Sequence, residues 1–494
     1  MTGWRRSTLR CPPRLWNWPS LPNPTATGPF DRKPGRKEQL VISQMLAQRE
    51  AESDPIKVGI IGTGKFGAGL VAQISQMKGM EVAAIADINA HNARYAYLSS
   101  GEAAEDIQTA ETGDELEDSV RAGRPVIVED GLTLTDCESV DVIVESTGLP
   151  EVGARHAFQA LGNRKHVVMV NVEADVTVGP LLRRTADAAG VVYTMVDGDQ
   201  PAVTWNIIEW ARSLGLEVVA AGRGTIYFDD DFEGTPETAA SRFGFTEEHI
   251  ERRTINLKMF NSFRDGTKAQ VEMTALANAA GLVPDRRGMH EPSVNLEEIP
   301  LRFSLQEEGG LLSRHGVVEL ANSVGADGRC MLPNPLKMGV FAVVRSEHPF
   351  TREDLAYHGC HVGGEGKNFL LYRPYHLVAV PAPLSIARAV LFNAANGSCA
   401  PTATAECVTV AKRDLTEGDE LDGGGGYTVV GQCEKTSVAH GEGLLPLGLA
   451  EGAVVKRTVS KGEAIRYGDV ALNEDSFVLR MRRLQDGLTE GEQL

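Results

Sequence analysis

Three glycines stand in the spacing Gly62-x-Gly64-x-x-Gly67, directly after the apolar run 58–61. A continuous apolar run of this kind is typical of a strand covered on both faces in a parallel sheet. The first glycine permits a tight turn, the second lets a phosphate approach the backbone, and the third lets the following helix pack against the strand. The pattern therefore predicts that a pyrophosphate binds to the free N–H groups at a helix N-terminus.

A second apolar strand, 82–86, ends in Asp87. A carboxylate about twenty residues after the last glycine is placed to bind ribose hydroxyls, so the whole unit predicts a nicotinamide-dinucleotide site. Asp87 favours NAD(H), because it repels a 2′-phosphate, whereas the nearby Arg94 would favour NADP(H). NADP and NAD both remain candidates. The cofactor-binding residues predicted in this unit are Gly62, Thr63, Gly64, Lys65, Phe66, Gly67, Asp87 and Arg94.

Polar residues, and one glycine, follow two further apolar strands. In doubly wound sheets, ligands bind at the carboxyl ends of the strands, so we expect these residues on the nicotinamide side. After the strand at 140–145 they are Ser146, Thr147 and Gly148, and after the strand at 166–170 they are Asn171, Glu173 and Asp175.

The most polar stretch of the chain is 261–273. Asp265 and Gly266 predict a turn, and the pattern that follows predicts a helix through Ala280. Lys268 and Glu272 lie four residues apart and share a face of that helix. On spacing alone, the better prediction is a surface ion pair between them.

Arg373 and His376 interrupt the apolar stretch 368–377, which we predict to be a strand. Charged or polar residues in such a place more often contact a ligand or a partner domain than solvent. We therefore treat both as candidates for a binding role.

Length and composition set the class of the protein. The chain has 494 residues, 42% hydrophobic and 23% charged, which indicates a globular protein of two or three domains. A net charge of −18 argues against a nucleic-acid partner. Seven cysteines without a CxxC pair suit free thiols, so we expect a cytoplasmic location. No apolar run is long enough to predict a membrane-spanning helix.

The predicted fold class is α/β, in four segments. Residues 1–44 are rich in Arg and Pro and form a disordered extension, with Met45 as the expected true start. Residues 45–215 form a doubly wound Rossmann domain, and 216–400 form a central α+β domain for catalysis and dimerisation. Residues 401–494 form a small β-rich module with an acidic tail.

With these segments placed, the chain resembles the homoserine-dehydrogenase-like oxidoreductases that carry a C-terminal SAF domain. Within them it is similar to the DXR-like (DRL) reductoisomerases, which convert 1-deoxy-D-xylulose 5-phosphate to 2-C-methyl-D-erythritol 4-phosphate with NADPH. Besides the glycine pattern, the resemblance rests on the segments 145–148, 169–175, 233–239, 265–268 and 372–376.

The resemblance implies an NAD(P)-dependent enzyme with a small-molecule substrate. Transfer of a hydride needs a cation or an acid beside the substrate oxygen, and Lys268 is the first candidate. The other implied residues are Asp265, Glu272 and Glu173 for catalysis, Arg223, Arg373 and His376 for substrate binding, and Glu173, Asp175, Asp265 and Glu272 as candidate ligands of Mg²⁺ or Mn²⁺. A homodimer is also expected.

Two alternatives remain open at this point. Homoserine dehydrogenase itself agrees with the first half of the chain. A non-enzymatic dinucleotide sensor or assembly factor is the other, because SAF modules also occur in binding proteins.

Overall fold

A computed structural model of the chain describes residues 41–246 and 255–492. Its first sheet consists of β1 (Ile56–Ile61), β2 (Met80–Ala86), β3 (Gln108–Thr109), β4 (Val126–Val128), β5 (Val142–Glu145), β6 (His166–Met169) and β7 (Tyr193–Met195). Their order across the sheet is β3-β4-β2-β1-β5-β6-β7, and all neighbours are parallel. The chain order runs outward in both directions from β1 and β5, so the switch point lies between these two strands. The predicted doubly wound domain is confirmed.

Helices cover both faces of this sheet. They are α1 (Ile42–Ala51), α2 (Lys65–Ile74), α3 (Ala90–Ser99), α4 (Gly113–Arg121), α5 (Gly131–Asp136), α6 (Pro150–Gly162) and α7 (Val172–Ala189). The next helix, α8 (Gln200–Ser213), packs on the second sheet instead. Leu70 of α2 and Ala93 of α3 lie in the core on one face, and Leu116 of α4 and Val178 of α7 lie in the core on the other. Coverage of both faces explains why the strands read as continuous apolar runs.

The second sheet is mixed. Its strands are β8 (Glu217–Thr225), β9 (Val283–Pro284), β10 (Val317–Asn322), β11 (Val340–Arg345), β12 (Val362–Gly363) and β13 (Asn368–Arg373), in the order β12-β13-β11-β8-β10-β9. The helices of this region are α9 (Pro236–Arg242), α10 (Leu257–Arg264), α11 (Thr267–Ala280), α12 (Ile299–Arg302), α13 (Pro349–Tyr357) and α14 (Ala382–Phe392). Met273 of α11 packs on one face of the sheet, and Phe303 packs on the other. Because both faces are covered within the chain, neither is a free surface for pairing with a second copy.

The strand predicted over 368–377 is shorter than expected. It ends at Arg373, because Pro374 has no N–H group to continue the ladder. His376 therefore lies in the loop that leads to α14 and not in a strand. This part of the prediction is wrong.

Helix α11 is the structural centre of the chain. Twelve of its fourteen residues are buried. It contacts α7 on the side of the first sheet, and α8, β8 and β10 on the side of the second sheet. A helix surrounded on all sides in this way holds its few charged side chains in fixed positions.

The prediction that residues 1–44 are disordered is wrong for its last three residues. Residues 1–40 lie outside the described residues, but α1 begins at Ile42, within the segment 1–44. This helix buries Leu46 and packs against α14, which gives it a tertiary anchor that its composition did not reveal.

The C-terminal region is β-rich, as predicted. It contains β14 (Ala405–Ala411), β15 (Val429–Lys435), β16 (Val454–Val455) and β17 (Val470–Ala471), with helices α15 (Thr436–Glu442) and α16 (Phe477–Glu492). Strands β14 and β15 pair antiparallel, as do β16 and β17. The expected acidic tail is instead largely helix α16, which packs against α6 and α7. Within the described residues, no helix is long and apolar enough to cross a membrane.

One buried ion pair joins α16 to β14. The guanidinium of Arg482 donates to both carboxylate oxygens of Glu406, at 2.8 and 2.9 Å. The side chains of this pair are only 2% and 3% exposed. Removing one partner of a buried pair leaves the other charge without compensation.

We therefore expect Glu406→Gln to lower the free energy of unfolding by about 3 kcal/mol. The loss is no larger because Asp486 still pairs with Arg482. The measurement is urea unfolding followed by circular dichroism. Glu474→Gln is the matched control, because Glu474 pairs with Arg483 of the same helix while both side chains are more than half exposed. The control should cost at most about 1 kcal/mol. Equal effects of the two changes would contradict a structural role for the buried pair.

Candidate active site

The loop after β1 has the geometry that its glycines suggest. Gly62 has a φ of 89°, which a residue with a side chain rarely adopts. A Cβ on Gly67 would lie 2.1 Å from the Gly62 carbonyl oxygen, so the first turn of α2 packs directly on the loop. A Cβ on Gly64 would meet nothing within 4 Å. Gly64 is the N-cap of α2, so its open side is the space in which a pyrophosphate could approach the helix N-terminus.

Asp87 and Ser146 hold this loop from two sides. Asp87 Oδ2 accepts hydrogen bonds from the backbone N–H and the hydroxyl of Thr63, at 2.7 and 2.6 Å. Ser146 Oγ donates to the carbonyl of Gly62 at 2.7 Å. Asp87 thus stands at the end of β2, where a ribose would lie, and also fixes the loop. Arg94 donates to the carbonyl of Ala104 at 2.9 Å.

A buried network lies at the ends of β5 and β6. The carboxylate of Glu145 is fully buried and accepts from the Thr147 hydroxyl at 2.6 Å. Thr147 Oγ1 in turn accepts from Asn171 Nδ2 at 3.2 Å. Asn171 also caps α7, because its side-chain oxygen accepts from the backbone of Ala174. These contacts fix the start of α7, which carries Glu173.

Two ion pairs, one partly buried and one almost fully buried, meet where α11 crosses between the sheets. Lys268 Nζ lies 2.8 Å from Glu173 Oε1, and the guanidinium of Arg223 on β8 is paired with Glu272. The side chains of Lys268 and Glu272 are 14% and 2% exposed. The surface pair predicted from their spacing is therefore wrong. Each residue pairs across elements, one with the first sheet's helix α7 and the other with the second sheet.

The electrostatic surroundings keep Lys268 charged. Burial lowers its pKa, but the carboxylates of Glu173, Glu272 and Asp199 outweigh burial, so the pKa lies above its ordinary value. Burial raises the pKa of Glu272 to about 7, although the charge of Arg223 opposes this shift. The site thus combines a stable cation with a carboxyl group that changes charge near neutral pH.

Gln200 connects this cluster to the loop after β13. With its amide oxygen turned toward Arg223, it accepts from both terminal nitrogens at 3.1 Å, and its nitrogen donates to Asp199. The same oxygen lies 3.2 Å from His376 Nε2. His376 Nδ1 lies 3.0 Å from the carbonyl oxygen of Met338, and burial lowers its pKa. A neutral imidazole can donate to only one of these two oxygens.

Two families of domains match consecutive parts of the chain. The family described as the NAD-binding domain of homoserine dehydrogenase matches residues 62–195, and the family described as the catalytic domain of oxidoreductase DRL matches residues 198–381. The chain is an NAD(P)-dependent oxidoreductase, in which a match to an NAD-binding domain is followed by a match to the DRL catalytic domain. No curated protein matches the chain.

Among solved structures, this oxidoreductase is similar to a probable dehydrogenase from Thermotoga maritima, with 10% identity, a TM-score of 0.35, and coverage of 68% of this chain and 89% of that one. It is also similar to a DOX-P reductoisomerase with fosmidomycin and magnesium, at 15% identity and a TM-score of 0.32, with 46% and 58% of the chains covered. A 1-deoxy-D-xylulose 5-phosphate reductoisomerase from Zymomonas mobilis with NADPH has 16% identity and a TM-score of 0.28, with coverage of 44% and 58%.

The structure does not bring the four candidate metal ligands of the oxidoreductase together. Asp265 pairs with Lys412 at 2.7 Å, and Asp175 accepts from the hydroxyl of Tyr193. Glu173 and Glu272 are each paired with a cation. Within residues 41–246 and 255–492, no group of three or more His, Cys, Asp or Glu side chains could hold a metal ion. This donor set, as it is arranged in the described residues, does not fit a divalent ion.

Arg373 lies apart from the ion pairs. Its guanidinium stacks over the ring of Tyr375 at 4.8 Å. Tyr375 is 53% exposed, so the stacked pair lies at the surface of the loop that carries His376. Arg373 therefore lies near the surface, beside the loop that carries His376.

Sequence reasoning missed Asp199, Gln200 and the interior role of Glu145. The segment 198–201 closes β7 at the same sheet edge as the residues after β5 and β6. The rule that selected those residues would have selected Asp199 and Gln200 as well. What sequence could not show is the contact between the loops after β7 and β13, where a Cβ on Gly198 would lie 2.1 Å from the Leu377 carbonyl oxygen.

The glycine geometry gives a test of cofactor binding. We expect Gly64→Ala to leave the melting temperature unchanged and to raise the Kd for NADH and NADPH by on the order of tenfold, about 1.4 kcal/mol, because the methyl group occupies only ligand space. Gly67→Ala should lower both the melting temperature and the affinity, because its Cβ meets backbone. Isothermal calorimetry and thermal unfolding measure the two effects. If Gly64→Ala binds both cofactors normally, the dinucleotide does not approach this loop.

Proposed function

We propose that this oxidoreductase acts on a small polyhydroxylated substrate, which carries a phosphate group in the favoured case. The observation that carries the proposal is the position of Lys268. It bonds to Glu173, two residues after Asn171, and Asn171 bonds to Thr147 at the end of β5. The ammonium group is thereby held at the sheet edge that carries the glycine loop.

The chain's own residues suggest the chemistry of the site. When bound, the nicotinamide supplies or accepts a hydride. The Lys268 ammonium would donate a hydrogen bond to the substrate oxygen on which negative charge develops and would stabilise that charge. Glu173 orients Lys268. Asp199, Gln200 and His376 offer hydrogen-bonding groups that suit hydroxyls, and Arg373 near the surface suits a phosphate.

Within this class, we propose a reaction like that of 1-deoxy-D-xylulose 5-phosphate reductoisomerase. The match of residues 198–381 to the DRL catalytic domain supports it. Oxidation of homoserine is the second candidate, and the match of residues 62–195 to the NAD-binding domain of homoserine dehydrogenase favours it. Assays with 1-deoxy-D-xylulose 5-phosphate and with aspartate semialdehyde separate the two. A dinucleotide sensor would bind cofactor and turn over neither.

Three further assignments stay predictions. We assign the C-terminal strands to a SAF-like module on the resemblance of the sequence. We expect a homodimer, and since both faces of the second sheet are covered, pairing would use other surfaces. We also expect a cytoplasmic location.

We expect Lys268→Ala to lower kcat by about 10²–10⁴-fold while the Kd for the cofactor stays within a factor of about 2, because the lysine acts on the substrate oxygen. The measurement is NAD(P)H absorbance in a turnover assay, combined with fluorescence titration of the cofactor. Lys258→Ala is the matched control, since Lys258 pairs with Glu451 in a solvent-exposed ion pair. Undiminished turnover of Lys268→Ala would remove the lysine from the mechanism.

We also infer a preference for NAD(H), because Asp87 places its charge at the ribose while Arg94 is engaged with Ala104. Asp87→Asn should lower the ratio of the Kd for NADPH to the Kd for NADH by about tenfold, since the amide no longer repels a 2′-phosphate. Thr63→Val is the control, because it removes a hydrogen bond to Asp87 but keeps its charge. It should weaken both cofactors alike. An unchanged ratio in Asp87→Asn would show that another group selects the cofactor.

A further inference from the structure

A strained segment lies beside the ion pairs, in the stretch 288–291. Gly288, Met289 and Glu291 have φ values of 75°, 67° and 46°. Residues with a side chain rarely adopt this left-handed region. Such strain persists only where the surrounding structure imposes it, and it is concentrated at functional sites.

The surrounding contacts show what imposes this conformation. Glu319, in the middle of β10 and fully buried, accepts from the backbone N–H of His290 at 2.9 Å and lies 2.6 Å from its ring Nδ1. Gln270 of α11 donates to the carbonyl of Gly288 at 2.9 Å. Met289 is buried in the core between α11 and the second sheet. The segment is thus fixed on both sides of Glu291.

The fixed segment directs Glu291 to the end of β8. Thr225 Oγ1 donates to Glu291 Oε1 at 2.7 Å. Thr225 follows Arg223 by two residues on the same strand, so both side chains project from the same face. Arg223 is the partner of Glu272. Two carboxyl groups, from α11 and from the strained segment, therefore share the neighbourhood of one guanidinium.

The charges around Glu291 set its protonation. Burial raises its pKa to about 7, the hydrogen bond from Thr225 and the charge of Arg223 oppose this shift, and the carboxylate of Glu319 adds to it. A group with a pKa near the working pH is suited to both accept and return a proton. Lys268, in contrast, stays protonated.

We propose that Glu291 exchanges a proton with a substrate hydroxyl adjacent to the carbonyl whose oxygen Lys268 binds, so that the substrate belongs to the hydroxyketones or hydroxyaldehydes. The O–H bond breaks, its electron pair stays on the substrate oxygen, and the proton moves to the carboxylate. The alkoxide lies near the Arg223 guanidinium, and the same proton returns to the product. This inference rests on the proposed function and assigns a second proton transfer to its site.

The test compares Glu291→Gln with the wild-type enzyme on 1-deoxy-D-xylulose 5-phosphate. We expect kcat to fall by about 10²–10⁴-fold with an unchanged Kd for the cofactor. In the wild type, kcat/KM should decline as the pH falls below about 7, because the base becomes protonated, and this acid limb should vanish in the variant. Glu297→Gln, a change at the surface six residues away, is the control and should match the wild type.

The variant Glu291→Gly tests whether a loss of turnover in Glu291→Gln is a purely structural effect. Glycine accepts a positive φ, so this variant removes the carboxyl group and relieves the strain together. It should fold at least as stably as the wild type and still lose turnover. If either variant folds and retains both the rate and the acid limb, the proposal is overturned.

A second readout separates this inference from the proposed function. Infrared difference spectra of the full-length protein, between about pH 5 and about pH 9, should contain carboxyl absorption that titrates near neutrality and loses intensity in Glu291→Gln, while the contribution of Glu272 remains. If the wild type turns over no hydroxycarbonyl probe while Glu291→Gln still shows this loss of intensity, the proposed function fails but the proton-exchanging carboxyl stands. If Glu291→Gln leaves the titrating absorption unchanged, Glu291 does not exchange protons near neutral pH and the inference itself fails.

Discussion

Helix α11 joins the two sheets through one partly buried and one almost fully buried ion pair. Lys268 bonds to the start of α7 behind the first sheet, and four residues later Glu272 bonds to Arg223 in the second. Burying charged groups costs much free energy unless each is paired, so neither end of this bridge can shift without leaving a charge uncompensated. The relative position of the cofactor loop and the substrate-binding groups depends on these two pairs.

The same pairs help to set the protonation states of the charged groups in the site. Carboxylates from several elements surround Lys268 and keep it charged, while Glu272 and Glu291 lie close to one guanidinium that must serve both. A lysine that stays a cation and carboxyls that titrate near pH 7 are what acid–base chemistry on two neighbouring oxygens requires. Burial produces both effects at once, because it penalises an unpaired charge and strengthens a paired one.

The sequence allowed prediction of what is determined locally. The strand, the glycine turn and the helix after it follow each other within a few residues, and each glycine has a steric reason that the spacing already implies. Helix α11 could be predicted for the same reason, because Gly281 adopts the left-handed conformation after its last residue. The continuous apolar strands also revealed that the first sheet is covered on both faces.

What could not be predicted depends on partners far along the chain. Lys268 and Glu272 look like a surface pair because they are four residues apart, but their true partners are 95 and 49 residues away. The first three residues of α1 were predicted to be disordered because the anchor of this helix is α14, near residue 390. The left-handed backbone at Glu291 has no signature in its own residues, since Glu319 and Gln270 impose it from other elements.

The bond between Asp265 and Lys412 links the N-terminal end of α11 to the C-terminal strands. Lys412 follows β14 directly, and both side chains are almost fully buried. Although none of the proposed site residues lies beyond residue 400, a shortened gene product that ends there would lack the cation that compensates the Asp265 carboxylate at the start of the helix that carries Lys268. The C-terminal strands therefore belong to the same folded unit as the proposed site.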